Sequence, residues 1–393
     1  MFRPVFCLIF VFLFHSVVEA QTQQGTGSRP GLQGLNPEIS LDGLFAAAYF
    51  SEPDNLNFGG HDPNQTGFTL QNLELTLGAT VDPYARADAH IIYLIDEEGE
   101  SVLEVEEAYL TTLALPHRLQ LVGGQFFTRF GRINPTHPHA WDFTDQPVIA
   151  NRLLGPDGLR NPGAQISWLS PLPFYLELIG SVQNAGGETA VSFLSNPEAF
   201  EETFPDLSFE ERDVRRFEDL LYMTRLKTAW TPSDTVELVQ GFSGLFGPNA
   251  SGKDTYTKIF GLDFYGKWRP LDAHGGFPFV ALQAEAMWRK YETSENSEDN
   301  LHDRGLYLQG LWGFASRWVV GLRGEYANGG DETDPLGDRR YRISPNLTFY
   351  PSEFSKWRLQ YNVDRAEHLD DKSLHAVFLQ FEFLIGSHGA HQF

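Results

Sequence analysis

Segments in which apolar and polar side chains alternate recur along most of the chain, each about 10 residues long. In 67–81, for example, Leu73 and Leu75 alternate with Glu74 and Thr76. Successive side chains of a strand point to opposite faces, so one face of such a segment is apolar and the other is polar. The pattern predicts strands that have hydrocarbon on one side and water on the other.

The last segment, 373–393, has this sidedness in its strongest form. One parity is wholly apolar, whereas the other is mixed, with Gln380 and Glu382 among its members. The apolar parity contains Val377, Leu379, Phe381 and Phe383. The chain then ends on an aromatic residue, Phe393.

The connections between the segments are alternately short and long. The short ones are 82–84, 115–118, 171–173, 232–234, 315–317 and 351–355. With about 16 strands, an even number, all the short connections lie on one side and the long, acidic loops lie on the other. The sequence therefore predicts an all-β fold, a transmembrane antiparallel β-barrel of about 16 strands that occupies 38–393.

The first 37 residues are predicted to lie outside this barrel. Arg3, the apolar stretch Val5–Phe14 and Val18-Glu19-Ala20 form the pattern of a secretory signal peptide, 1–20, which is cleaved. Residues 21–37 then form a periplasmic leader. The one cysteine, Cys7, lies within the signal peptide, so the mature chain has no disulfide, no catalytic thiolate and no cysteine-based metal site.

The strongly acidic balance of the chain restricts its partners. The formal net charge is −23, which argues against nucleic acid as a partner.

These features resemble those of the 16-stranded porins of Gram-negative outer membranes, including the anion- and phosphate-selective type. The resemblance covers nearly all of the mature chain. It implies a location in the cell outer membrane and the passive diffusion of small hydrophilic solutes or ions. It also implies contact with lipid and lipopolysaccharide, and recognition of Phe393 as an assembly signal by the barrel assembly machinery. Porins of this size resemble trimers, so a homotrimer is one expectation.

In such porins the third outer loop folds into the barrel and narrows the pore, and 128–160 occupies that position here. The residues expected in this constriction loop are His137, His139, Trp141, Asp142 and Asp145. The residues expected to line the pore are Glu74, Arg86, Asp88, Arg323, Glu325, Arg340, Arg342, Arg358, Asp364 and Glu382. Because the inward charges are mixed, the sequence leaves the ion preference open.

Two motifs admit a chemical interpretation that the sequence does not favour. His137 and His139 lie near two aspartates, but Pro135 and Pro138 leave no regular element to fix a ligand geometry, so a structural or constriction role is favoured over metal binding. The stretch 247–254 resembles a P-loop but lacks the Ser or Thr that must follow the lysine. No cofactor or metal is therefore expected, and an enzyme, such as a membrane-embedded hydrolase, is a minority interpretation.

Two questions stay open at this level. The helical spacing of apolar residues over 209–221, which begins within the long insertion 184–219, fits a short helix as well as it fits a solvated loop. A receptor or adhesin with a blocked lumen and ligand-binding outer loops is the alternative to a pore.

Overall fold

The computed structural model describes residues 37–53, 56–57, 59–95, 99–293, 300–329, 337–369 and 372–386. The predicted signal peptide 1–20, all of the leader except Pro37, and the terminal Phe393 lie outside these ranges.

Sixteen strands account for most of the described residues, and they confirm the predicted all-β architecture. The first eight are β1 (Glu38–Phe50), β2 (Gly67–Asp82), β3 (Ala85–Ile95), β4 (Ser101–Thr112), β5 (Leu119–Phe127), β6 (Arg160–Leu169), β7 (Tyr175–Gln183) and β8 (Leu221–Ser233). The other eight are β9 (Val236–Pro248), β10 (Tyr256–Trp268), β11 (Phe279–Tyr291), β12 (Leu301–Ala315), β13 (Trp318–Asn328), β14 (Arg340–Ser352), β15 (Ser355–Ala366) and β16 (Ser373–Gly386).

Each strand pairs antiparallel with its neighbours in sequence, and β1 pairs with β16, so the sheet closes into a barrel. The closing register runs from Ser40 opposite Gly386 to Phe50 opposite Ala376. Closure leaves no unpaired edge strand, which is the condition for a sheet to cross a bilayer.

Most of the connections follow the predicted alternation of length, and 269–278, at the short-turn end, is an exception. Two-residue turns, at 83–84, 234–235, 316–317 and 353–354, lie at one end of the barrel. The two longest connections, 128–159 and 184–220, lie at the other end. The two α-helices of the described residues belong to them: α1 (Val148–Leu154) to the first and α2 (Pro197–Thr203) to the second.

The two faces of the strands differ in the predicted manner. In β15, Trp357, Leu359 and Tyr361 are exposed on the outer face, whereas Arg358 and Gln360 are buried on the inner face. Such an apolar outer surface is stable in hydrocarbon and is rare on a water-soluble monomer. Among the described helices, none has the length and apolar content needed to cross a bilayer.

The structure decides the open question about 209–221. Residues 208–216 form no helix, and only the 3-10 turn Phe217–Asp219 lies in the stretch with helical spacing. The helix of this insertion, α2, lies earlier, where the Asn196 side chain accepts a hydrogen bond from the Ala199 N–H and caps its first turn. Phe200 and Phe204 hold α2 by packing against Tyr291 and Ala250.

Candidate functional site

The segment 128–159, which we call the β5–β6 segment, contacts inward-facing side chains from strands on opposite sides of the barrel. Its backbone N–H groups donate to Ser243 of β9, Glu285 of β11, Glu325 of β13 and Gln360 of β15. Buried backbone groups need such partners, because an unsatisfied N–H costs the full desolvation of the group. The strand side chains therefore supply the hydrogen bonds that this irregular segment cannot make with itself.

Helix α1 shows how this support works. Its first residue, Val148, donates its N–H to Glu325 Oε2 at 2.7 Å, so a strand carboxylate satisfies and stabilises the positive end of the helix. Ile149 and Leu153 are buried in an apolar cluster that also contains Met287 and Tyr307 of the barrel wall.

Asp145 is the centre of a hydrogen-bonded network of charged and amide side chains. Arg323 and Gln360 donate to its Oδ1 at 2.6 and 2.7 Å, and Arg342 and Asn362 each donate to its Oδ2 at 2.7 Å. Burial acts to raise the pKa of Asp145, but the two guanidinium groups outweigh it and hold that pKa below its usual range. The carboxylate is fully satisfied and stays ionised.

The same network extends along β13, β14 and β15. Arg340 and Arg342 both donate to Asp364, at 2.9 and 2.7 Å, and Arg323 donates to Glu325 at 2.7 Å. These five residues were expected to line the pore, and the structure brings them together, buried, against the β5–β6 segment.

A group of histidines and carboxylates lies against another part of the wall, strands β2 to β4. His137 Nδ1 is 2.8 Å from Glu106 Oε2, and His137 Nε2 is 2.9 Å from Glu107 Oε2. His139 Nδ1 is 3.1 Å from Glu74 Oε2, and the same carboxylate lies 2.7 Å from His90 through Oε1. Two residues expected in the constriction loop thus contact strands β2, β3 and β4.

The pKa values of the two histidines of the β5–β6 segment are shifted in opposite directions. Burial acts to lower the pKa of His137, but Glu74 and Glu106 outweigh it and raise that pKa well above the usual value. Burial prevails at His139, whose pKa is lowered even though Glu74 opposes the shift. His137 therefore carries the positive charge of the pair.

A β-bulge places Glu106 and Glu107 on the same face. His90 pairs with Glu107 and Ile91 pairs with Val105, so Glu106 has no partner in β3. Both glutamates are consequently buried towards the histidines, whereas regular alternation would have turned one of them outward. The alternation of 102–114 is poor for this reason, and that irregularity is the sequence signal that could have identified the pair.

A cavity of about 690 Å³ lies between the β5–β6 segment and the wall. Its charged lining is predominantly cationic. The cationic side chains are Arg129, Arg132, Arg225, Lys227, Lys267, Lys356 and Arg358. The carboxylates are Asp142 and Glu177. Most of these cations were missed in the sequence, because an isolated lysine or arginine on a strand does not reveal which lumen region it faces.

The remaining predicted residues are Arg86, Asp88, Trp141, Asp142, Arg358, Glu382 and Phe393. Arg86 and Asp88 pair with each other at 2.8 Å near the short-turn end and belong to neither cluster. Lys356, which forms a salt bridge with Glu382, donates to the His139 carbonyl, and Arg358 donates to the Trp141 carbonyl at 2.9 Å.

Asp142 lies in the cavity lining and accepts a hydrogen bond from Gln309 at 2.8 Å. Burial raises the pKa of Asp142 above its usual value, although Arg358 and Lys356 oppose the shift. Phe393, the predicted assembly signal, lies outside the described residues.

The comparison with known sequences identifies one relative that decides the family. An uncharacterized protein of Aquifex aeolicus (strain VF5) is 33% identical over 365 residues, which cover 85% of this chain and 73% of that protein. The chain belongs to the family of this Aquifex protein. No protein-family model matches the chain.

Solved structures share the fold at low sequence identity. The outer membrane channel DcaP of Acinetobacter baumannii has a TM-score of 0.55 and 13% identity, and the match covers 92% of this chain and 99% of that one. OprB of Pseudomonas putida has a TM-score of 0.55 and 12% identity, with 91% and 96% covered. The anion-selective porin from Comamonas acidovorans has a TM-score of 0.54 and 8% identity, with 89% and 100% covered. The chain thus has the closed 16-strand barrel fold of outer-membrane porins.

Proposed function

We propose that this protein is an outer-membrane channel through which small hydrophilic solutes diffuse passively, with a preference for anions. The cationic cavity is the observation that carries the proposal. Two of its cations, Arg225 and Lys356, form salt bridges with Asp263 and Glu382, and the other five outnumber the two lining carboxylates. An excess of positive charge along a narrow aqueous path attracts anions and repels cations.

The β5–β6 segment sets the width of this path in our proposal. Its hydrogen bonds to β9, β11, β13 and β15 support a course across the lumen, as the third loop has in the porins that the sequence resembles. The Asp145 network anchors one part of the segment and the histidine group anchors another. The predicted lining residues of these clusters would act chiefly by holding the segment in place.

The cellular setting follows from the same proposal. The apolar outer face contacts membrane lipid and, in the outer leaflet, lipopolysaccharide. A secretory signal at 1–20, a periplasmic leader at 21–37 and assembly of the barrel through Phe393 complete the route to the outer membrane. A homotrimer is the proposed assembly, and the role is transport rather than catalysis.

Conductance in planar lipid bilayers tests the proposal. We expect the purified protein to produce stable open steps and, in a KCl gradient, a reversal potential of the sign that anion permeation gives. A protein that inserts and folds but produces no conductance would reject the channel.

A receptor with a blocked lumen is the second candidate, and one observation favours it. Phe130, Ile133 and Ile149 of the β5–β6 segment belong to the same buried apolar cluster as Leu245 and Ile259 of the wall, and such a cluster would close part of the barrel's cross-section to water. Silence in the bilayer experiment would support this function.

A further inference from the structure

The histidine and carboxylate group contains an arrangement that a simple ion-pair network does not require. The rings of His90 and His137 are stacked, with centroids 4.5 Å apart and an interplanar angle of 29°. Their Nδ1 atoms both face Glu74, at 2.7 Å from Oε1 and 3.4 Å from Oε2. Their Nε2 atoms both face Glu107 Oε2, at 4.0 and 2.9 Å. One edge of the pair thus points to one carboxylate and the other edge to a second.

Glu106 adds a third carboxylate to the Nδ1 edge. Its Oε2 lies 2.8 Å from His137 Nδ1, and the residue is fully buried. Neither oxygen meets the geometry of a hydrogen bond with any group in the described ranges. Its neighbours at ion-pair distance are His137 and, at 3.7 Å from Oε1, His61. A buried carboxylate that accepts no hydrogen bond is costly, so direct bonding to a metal ion would stabilise Glu106 here.

We propose that Glu74, His90, His137 and Glu106 bind one divalent transition-metal ion, with zinc the best match. Imidazole nitrogen and carboxylate oxygen are ligands that zinc accepts, in a tetrahedral geometry at about 2.0–2.2 Å, which places neighbouring ligand atoms about 3.3–3.6 Å apart. The atoms of Glu74, His90 and His137 all lie within 4.8 Å of one another. These three residues can therefore reach tetrahedral positions by small side-chain movements, and Glu106, 2.8 Å from His137 Nδ1, is placed to supply the fourth ligand.

Glu107 supplies the outer contact that zinc-binding histidines usually have. A histidine that binds metal through one nitrogen commonly donates the N–H of its other nitrogen to a carboxylate, which fixes the tautomer and the ring orientation. His137 Nε2 is 2.9 Å from Glu107 Oε2, on the side of the ring away from the proposed ion. The bulge at Glu106 is what allows consecutive glutamates to serve as ligand and as orienting group.

The charge balance of the region agrees with a cation at this place. Four carboxylates, those of Asp42, Glu74, Glu106 and Glu107, are buried close to the histidines. A divalent ion that takes the place of the His137 proton would add a net charge of +1 to the region, and it would join β2, β3 and β4 to the β5–β6 segment through His137. The site would then fix the segment to the wall, whether or not the barrel conducts.

Zinc titration of the metal-stripped protein in detergent tests this site. With ZnCl2 as the probe, we expect saturable binding of one ion per chain by calorimetry and elemental analysis, and a higher unfolding temperature when zinc is bound. CoCl2 should give the visible absorption of a tetrahedral nitrogen and oxygen site. The double variant H90N/H137N should lose all three signals, whereas the control H117N/H375N, which changes two histidines elsewhere, should keep them.

Two single variants keep the test valid if the double variant does not fold. E106Q should weaken zinc binding at least tenfold, and E107Q should weaken it about 10–100-fold, as loss of a group that orients a ligand does. Absence of saturable zinc binding to the wild-type protein would overturn the proposal. So would unchanged zinc affinity in folded H90N/H137N.

Discussion

Reversing the charges of Lys227 and Lys267 should invert the ion selectivity of the channel. Both ammonium groups line the cavity, and each lies over an aromatic ring, at 5.5 Å from Tyr175 and 5.0 Å from Phe279, rather than in a salt bridge with a described residue. With the salt-bridged cations counted as neutral, the lining carries a net charge of +3, and K227E/K267E changes it to −1.

The cavity volume gives the expected magnitude. A sphere of 690 Å³ has a radius of about 5.5 Å, which places a lining charge about 7 Å from an ion at the centre. At that distance, two unit charges interact by about 0.6 kcal/mol in water, and salt near 0.1 M reduces this to about 0.3 kcal/mol. A net charge of +3 then favours an anion over a cation by about 2 kcal/mol, or roughly 20-fold, and a net charge of −1 favours a cation roughly threefold.

The assay is the reversal potential of single channels in a KCl gradient across a planar bilayer. K227E/K267E should change its sign, with the single-channel conductance retained. The matched control K253E/R215E makes the same change of charge on side chains in the outer loops that are 84% and 76% exposed, and it should leave the sign unchanged. An anion-type reversal potential in conducting K227E/K267E would refute the assignment of the ion path to this cavity.

Three further predictions concern how the β5–β6 segment is held. Asp145→Ala leaves the buried Arg323 and Arg342 without their shared carboxylate, so it should lower the free energy of unfolding in detergent by about 3–5 kcal/mol. The control Asp213→Ala, at an exposed position, should leave this free energy unchanged. Gly131→Ala places a Cβ 2.1 Å from Glu285 Oε2 at a φ of +62°, so it should lower the free energy of unfolding by about 1–3 kcal/mol. The control Gly123→Ala, which has open space around it, should leave that free energy unchanged. Equal effects of the two substitutions would contradict the contact with Glu285. Burial and the nearby Asp145 raise the pKa of Asp62 to about 7, so the folded protein holds the Asp62 proton more tightly than the unfolded chain does. The free energy of unfolding therefore decreases as the pH rises from about 4 to about 7. The Asp62→Asn variant should therefore be more stable than the wild type at pH 8, by at most about 4 kcal/mol, and no more stable near pH 3.5. If variant and wild type differed in unfolding free energy by the same amount at both pH values, titration of Asp62 would be excluded as the cause.

The sequence alone determined the barrel, because sidedness with a period of two is a local property. The segment 67–81 could be read one residue at a time, and the observed strand Gly67–Asp82 has nearly the same bounds. Short turns and an even strand number then leave an antiparallel closed sheet as the one arrangement that satisfies every backbone group in lipid.

Local patterns failed where tertiary contacts override them. The helix α1 was not predicted, since it is stabilised by Glu325 and by the apolar cluster rather than by its own sequence. The helical spacing of 209–221 did not produce a helix, whereas the capped stretch Pro197–Thr203 did.

The chemistry of the interior was decided by the tertiary structure. The sequence predicted His137 and Asp145 as constriction residues and showed two aspartates near the histidines along the chain, but the contacts of His137 are Glu74, Glu106 and Glu107. Those partners lie 30 to 63 residues away in the chain, and one of them faces inward only because of a bulge. The sequence thus specifies which face of each strand is polar, and closure of the barrel, which brings distant strands to a common interior, specifies which polar groups meet.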